Sequence, residues 1–142
     1  MLAALKTVAP TIPVSIEIEK YRDQLEDIYT GGTIYFFSKS FAEAEAIHSA
    51  ENLLRHYRTL IPDALLVCTW GDTGAYALDG EKLYFSMARK LSKVVDTVGA
   101  GDTFNAGFIH ASLENKCVQD RLEFANALAG KKCGIQGFCG LG

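Results

Sequence analysis

The sequence predicts an α/β layered domain built on a mainly parallel sheet. Three observations predict it. Strand and helix patterns alternate along the first half of the chain. Two of the strand patterns are continuous apolar runs, as in strands covered on both faces. A glycine-rich turn then joins a strand to the first of two long helical segments. Alternation of this kind places helices as crossovers between neighbouring parallel strands.

Ile12–Glu19 alternates apolar and polar residues after Pro13, which sets Val14, Ile16 and Ile18 on one strand face. Lys20–Tyr29 carries Leu25 and Ile28 at helical spacing and stops at Gly31-Gly32. Thr33–Phe37 is an apolar run and reads as a buried strand. Ser40-Phe-Ala-Glu43 has the form of a capping box. A helix from there should run to about Arg58, with Phe41, Ala44, Ile47, His48, Leu54 and Tyr57 near its buried face. Ala64–Thr69 is a second apolar strand. Ala75–Leu78 and Lys82–Phe85 form a hairpin across Asp79-Gly80, a strong turn dipeptide. Ser92–Asp96 reads as a short strand, Ala100–Leu113 as a helix, and Val118–Cys133 as another with Leu122, Ala125, Leu128 and Ala129 on one stripe.

At 142 residues, 49% hydrophobic and 22% charged, the chain can bury a real core. The net charge of −3 and the scattered basic residues argue against a nucleic-acid or membrane-surface binder. No apolar stretch reaches the length of a membrane span, and the first residues do not make a signal peptide. A cytoplasmic location is expected. Cys68, Cys117, Cys133 and Cys139 contain no paired spacing, so free structural thiols are expected rather than a zinc site.

The chemistry sits in Asp96-Thr-Val-Gly-Ala-Gly-Asp-Thr-Phe-Asn-Ala-Gly107. Gly99, Ala100 and Gly101 let backbone amides approach an anion at a helix N-terminus, where unpaired N–H groups and the dipole favour negative charge. Asp102 stands beside them and can take the proton of an attacking hydroxyl. A plainer account is open for each residue: an acid in the first turn also complements the dipole, and glycine-rich turns are common. Two familiar phosphate motifs fail. The third glycine of a dinucleotide fingerprint would fall on Phe104, and Gly130-Lys131-Lys132 lacks the hydroxyl residue of a P-loop.

The whole stretch resembles the C-terminal signature of the PfkB, or ribokinase-like, carbohydrate kinases, through Asp96, Thr97, Gly99, Ala100, Gly101, Asp102 and Phe104. The resemblance implies a ribokinase-like α/β/α fold, an anion hole at Gly99–Gly101 and Asp102 as catalytic base. Thr69-Trp-Gly-Asp-Thr-Gly-Ala75 resembles the family's ATP-site loop, implicating Gly71, Gly74 and Ala75; a hairpin turn explains the same glycines. Phe124–Ala129 resembles the helix over the adenine, implicating Asn126 and Gly130; an ordinary polar helix position explains Asn126 as well. Glu43 matches a family glutamate used in Mg²⁺ and phosphate handling, and the capping box needs no metal.

Val14–Lys20, Leu66–Trp70, Val94–Asn105 and Ala129–Phe138 further resemble members that phosphorylate the 1-hydroxyl of fructose with ATP, Mg²⁺ and K⁺. The likeness runs over nearly all of residues 1–142. It implies that these form the C-terminal nucleotide-binding part of the domain, truncated on its N-terminal side. The absent half would carry most sugar-binding groups and the lid through which full-length members dimerise. ATP and a ketose are the expected partners. The alternative is an inert nucleotide-binding or regulatory fragment that docks with a full-length kinase.

Overall fold

The computed structural model describes residues 7, 11–21 and 25–141. Its strands are β1 (Ser15–Ile18), β2 (Ile34–Ser38), β3 (Leu65–Thr69), β4 (Gly74–Asp79) and β5 (Lys82–Met87). Its α-helices are α1 (Lys39–Ala44), α2 (Ala50–Leu60), α3 (Ala100–Leu113) and α4 (Val118–Cys133). The five strands form one sheet in the order β1-β2-β3-β4-β5. β1 and β2 run parallel, with Ser15 opposite Ile34 and Ile18 opposite Phe37. The short connections from β3 to β4 and from β4 to β5 force antiparallel neighbours, because a parallel return needs a crossover of a dozen residues or more. The sheet is therefore mixed.

The chain divides into two compact units: Met1–Cys68 with Leu78–Leu83, and Thr69–Ala77 with Tyr84–Gly142. In the first, β2 is buried along Ile34–Phe37, which is why its sequence is apolar without alternation. Phe37, Phe41 and Tyr57 meet with ring centroids 4.8–5.8 Å apart. Arg58 ties this unit together from the end of α2. Its guanidinium donates to the carbonyls of Ile61 (3.2 Å), Pro62 (2.8 Å), Ala64 (2.8 Å) and Leu78 (2.7 Å). Cys68 is fully buried in β3, and burial pushes its thiol pKa up to about 12.

In the second unit α3 packs on α4 through Phe104, Phe108, Ala111, Leu122 and Ala125, all buried. A Cβ at Gly107 would lie 3.2 Å from the Cα of Ala125, so the two helices approach closely there. Both helices have the limits that the sequence predicts. α3 ends in a Schellman closure at left-handed Asn115 (φ 56°). The amides of Asn115 and Lys116 donate to the carbonyls of Ser112 and Ala111.

Three expectations fail. The helix expected from Ser40 to Arg58 is two helices. α1 starts one residue before Ser40, and its cap is Ser38, whose Oγ accepts from the Phe41 amide at 3.2 Å. It stops because Ala46 turns left-handed (φ 56°), with Ile47 N–H donating to Ala42 O and Ala46 N–H to Glu43 O. Ser49 then caps α2 by accepting from the Asn52 amide at 3.1 Å. Ala44 and His48 are exposed as a result. The expected strand Ser92–Asp96 is irregular, because the amides of Val95 and Asp96 donate to the Cys133 carbonyl instead of a neighbouring strand. Within Lys20–Tyr29 the ordered element is a 3-10 turn, Leu25–Ile28; residues 22–24 lie outside the described residues.

Candidate active site

The turn before α3 is closed from within. Asp96 Oδ1 accepts from the Val98 amide at 3.0 Å, and the Ala100 amide donates to Thr97 O at 3.1 Å. Gly99 follows in the left-handed region (φ 76°, ψ 9°) as the N-cap of α3. Glycine takes that conformation without strain. It also leaves room, since a Cβ there would sit 2.5 Å from Cζ of Phe138.

Because its cap is a glycine, α3 has no side chain bonded to its first-turn amides. Thr103 satisfies itself on the Gly99 carbonyl, through its amide (2.9 Å) and its hydroxyl (2.7 Å). The amides of Gly101 and Asp102 remain available to an outside acceptor. A Cβ on Gly101 would meet nothing within 4 Å, so the space beside those amides is open. The Asp102 carboxylate is exposed and has no hydrogen-bond or ion-pair partner among the described residues.

A cavity of about 610 Å³ opens beside this turn, within the second unit. Of the residues singled out in the sequence, Gly71, Ala100, Gly101, Asn126 and Gly130 line it. Gly99 and Asp102 adjoin that lining rather than form it. Gly74 and Ala75 are buried at the start of β4. Gly74 (φ 136°) is needed there for packing, as a Cβ would lie 2.1 Å from Ser86 O. Asn126 is buried and donates from Nδ2 to Ser86 O at 2.8 Å, which ties α4 to β5. Glu43 belongs to the other unit, where it pairs with Lys39 across α1 at 3.8 Å. No three His, Cys, Asp or Glu side chains are grouped to hold a metal among the described residues.

Sequence reasoning missed two features. The segment after β5 brings Arg89, Lys90 and Leu91 to the cavity wall, with nothing local to mark them. Lys132, at the end of α4, is completely buried and paired with Asp96. Its ammonium, and after it the Val98 amide, holds the Asp96 carboxyl below the usual carboxylate range. The adjacent Lys131-Lys132 was a visible signal, but basic residues in a last helical turn usually just complement the dipole.

The pfkB family carbohydrate kinase model matches residues 4–139. The chain belongs to the pfkB family of carbohydrate kinases. It is 43% identical to ketohexokinase of Mus musculus over 133 residues, which is 92% of this chain and 44% of that protein. It is 32% identical to fructosamine kinase FrlD of Bacillus subtilis over 135 residues, 92% of this chain and 45% of that one. The chain thus spans about half the length of these relatives. Solved pfkB-type folds overlay well. Arabidopsis thaliana ribokinase, complexed with ribose and ATP, has a TM-score of 0.79 at 23% identity, covering 96% of this chain and 45% of that structure. Ribokinase of Cryptococcus neoformans with ADP has a TM-score of 0.75 at 19% identity, covering 96% and 50%. These confirm the ribokinase-like fold. Within the family match, no helix of the described residues is long and apolar enough to cross a membrane.

Proposed function

We propose that this chain supplies the nucleotide-binding and proton-accepting part of an ATP-dependent sugar kinase that phosphorylates the 1-hydroxyl of fructose. One observation carries the proposal: two uncapped helix amides, at Gly101 and Asp102, stand beside an unpaired carboxylate and an open cavity. Anions bind at such helix ends, and amides fixed in place stabilise charge on a transferring phosphoryl group. Asp102 accepts the hydroxyl proton as the sugar oxygen bonds to the γ-phosphorus. The bond from that phosphorus to its bridging oxygen breaks, and ADP leaves. On this reading Gly71, Asn126 and Gly130, which line the cavity, hold the nucleoside, and Gly74 and Ala75, buried at the start of β4, support the loop. The kinships with ketohexokinase and fructosamine kinase support a ketose-derived acceptor.

Magnesium, when bound, neutralises phosphate charge. It typically keeps several waters and takes one or two carboxylates with the substrate phosphates, and no acids are grouped into a dedicated cage among the described residues. Glu43 is the carboxylate that the family resemblance implies for it, and it belongs to the first unit. A potassium requirement belongs to the same family expectation and has no role here beyond it. The kinase reading is preferred to an inert docking fragment because the likeness to kinases covers nearly the whole chain.

The test is fructose-dependent ADP release by this chain and by Asp102→Asn, with binding of a non-hydrolysable ATP analogue measured on both. Equal binding is expected; any turnover by the unaltered chain should be lower in the variant by roughly 10²-fold or more. Turnover retained by Asp102→Asn removes the base. Binding without turnover in the unaltered chain places the acceptor site outside these residues. No binding removes the nucleotide site.

A further inference from the structure

We infer that Lys132 is a positioning residue whose buried ammonium locks the anion-binding turn in place through Asp96. The inference rests on the kinase reading of that turn and goes beyond it, because Lys132 is not among the residues lining the cavity.

Lys132 has no exposed surface. Removing an ammonium from water is costly unless it is paired and hydrogen-bonded. A dipole-complementing lysine does its work from the surface, as its exposed neighbour Lys131 can. Burial therefore needs another reason, and the bonds supply it. Lys132 Nζ donates to Asp96 Oδ2 at 2.9 Å and to Asp96 O at 3.2 Å, and lies 5.2 Å from the centroid of the Phe138 ring. The same Oδ2 accepts from the Gly137 amide at 3.2 Å, while Oδ1 holds the Val98 amide. Two more ties run from the amides of Val95 and Asp96 to Cys133 O. Phe138 then closes against Gly99, where a Cβ would meet its ring.

All of these ties end within the four residues before Gly99 or on Gly99 itself. Gly99 is left-handed and bears no side chain, so the turn is held from within only by the short bonds from the Val98 amide to Asp96 Oδ1 and from the Ala100 amide to Thr97 O. Amides aimed at a phosphate lose their effect when displaced by about half an ångström or more. The charged, immobile anchor at Lys132 fits that need. Asp96 is the lever through which the end of α4 sets the aim of the Gly101 and Asp102 amides.

The experiment compares the full chain with Lys132→Met, which keeps the aliphatic stem and removes the charge. Affinities for a non-hydrolysable ATP analogue and for AMP are measured by calorimetry, with circular dichroism confirming the fold. The expected result is a tenfold or greater loss of analogue affinity with AMP affinity held within twofold, since only the analogue reaches the turn with its outer phosphates. Analogue affinity unchanged, or both affinities falling together, overturns the inference. If Lys132→Met does not fold, Asp96→Asn is read by the same two affinities; it removes the charge partner and keeps the Val98 bond. An unaltered chain that binds neither nucleotide overturns the kinase reading and this inference with it. Binding by the unaltered chain with no selective loss in the variants overturns this inference alone.

Discussion

Replacing Gly101 by alanine should move stability and nucleotide affinity in opposite directions. Gly101 is the second residue of α3, has no positive φ, and offers its would-be Cβ open space for 4 Å. Nothing among the described residues resists a methyl there. Alanine is the better helix former by about 0.5–1 kcal/mol, through the unfolded chain's lost freedom. For a chain of this size that raises the melting temperature by roughly 1–4 °C. The same methyl occupies the space through which an anion approaches the Gly101 and Asp102 amides. A hydrogen bond to a charged group contributes about 1.5–3 kcal/mol, so loss of one lowers affinity roughly 10- to 150-fold. A thermal melt and a calorimetric titration with a non-hydrolysable ATP analogue read the two effects on one sample. Analogue affinity within twofold of the unaltered chain refutes the anion site. A melting temperature several degrees lower refutes the open space beside Gly101.

Two further outcomes follow from the same geometry. Gly74→Ala should lower the melting temperature by about 6 °C or more, because φ 136° and a 2.1 Å approach to Ser86 O leave no place for a Cβ, at a cost of roughly 2–3 kcal/mol; a drop under about 2 °C refutes that packing. Asp96 has a folded pKa below its ordinary 3.8, so its contribution is complete above the unfolded value and is lost as pH falls through the folded one. Urea unfolding of the unaltered chain and Asp96→Asn should show a stability gap that is constant above about pH 5 and narrows below about pH 3.9; a gap that stays constant into acid refutes the pairing.

The elements that the sequence showed most clearly are those whose ends carry local chemistry. α3 starts after a glycine that can turn left-handed and closes on Asn115, a residue tolerant of the same region. The break between α1 and α2 was hidden because Ala46 does the work usually given to glycine. Nothing about an alanine announces a left-handed turn. It is held there by two capping bonds and by Ser49, which starts the next helix. Val94 and Val95 misled in the opposite way. Their β propensity describes a side chain fit for a pleated surface, but a strand also needs a neighbour to bond. Val95 and Asp96 found theirs at Cys133, at the end of a helix far along the chain.

The same distinction divides the site. The amides of Gly101 and Asp102 and the carboxylate of Asp102 are legible because absent side chains and a first-turn acid are local facts. What steadies them is not local: Lys132 reaches Asp96 from 36 residues away, and Phe138 reaches Gly99 from beyond it. The two halves require each other. A turn stripped of side chains beside the anion keeps only short internal bonds, from the Val98 amide to Asp96 Oδ1 and from the Ala100 amide to Thr97 O, to hold it still. The rest of its rigidity comes from another element, and in this chain the end of α4 and the segment after it provide it.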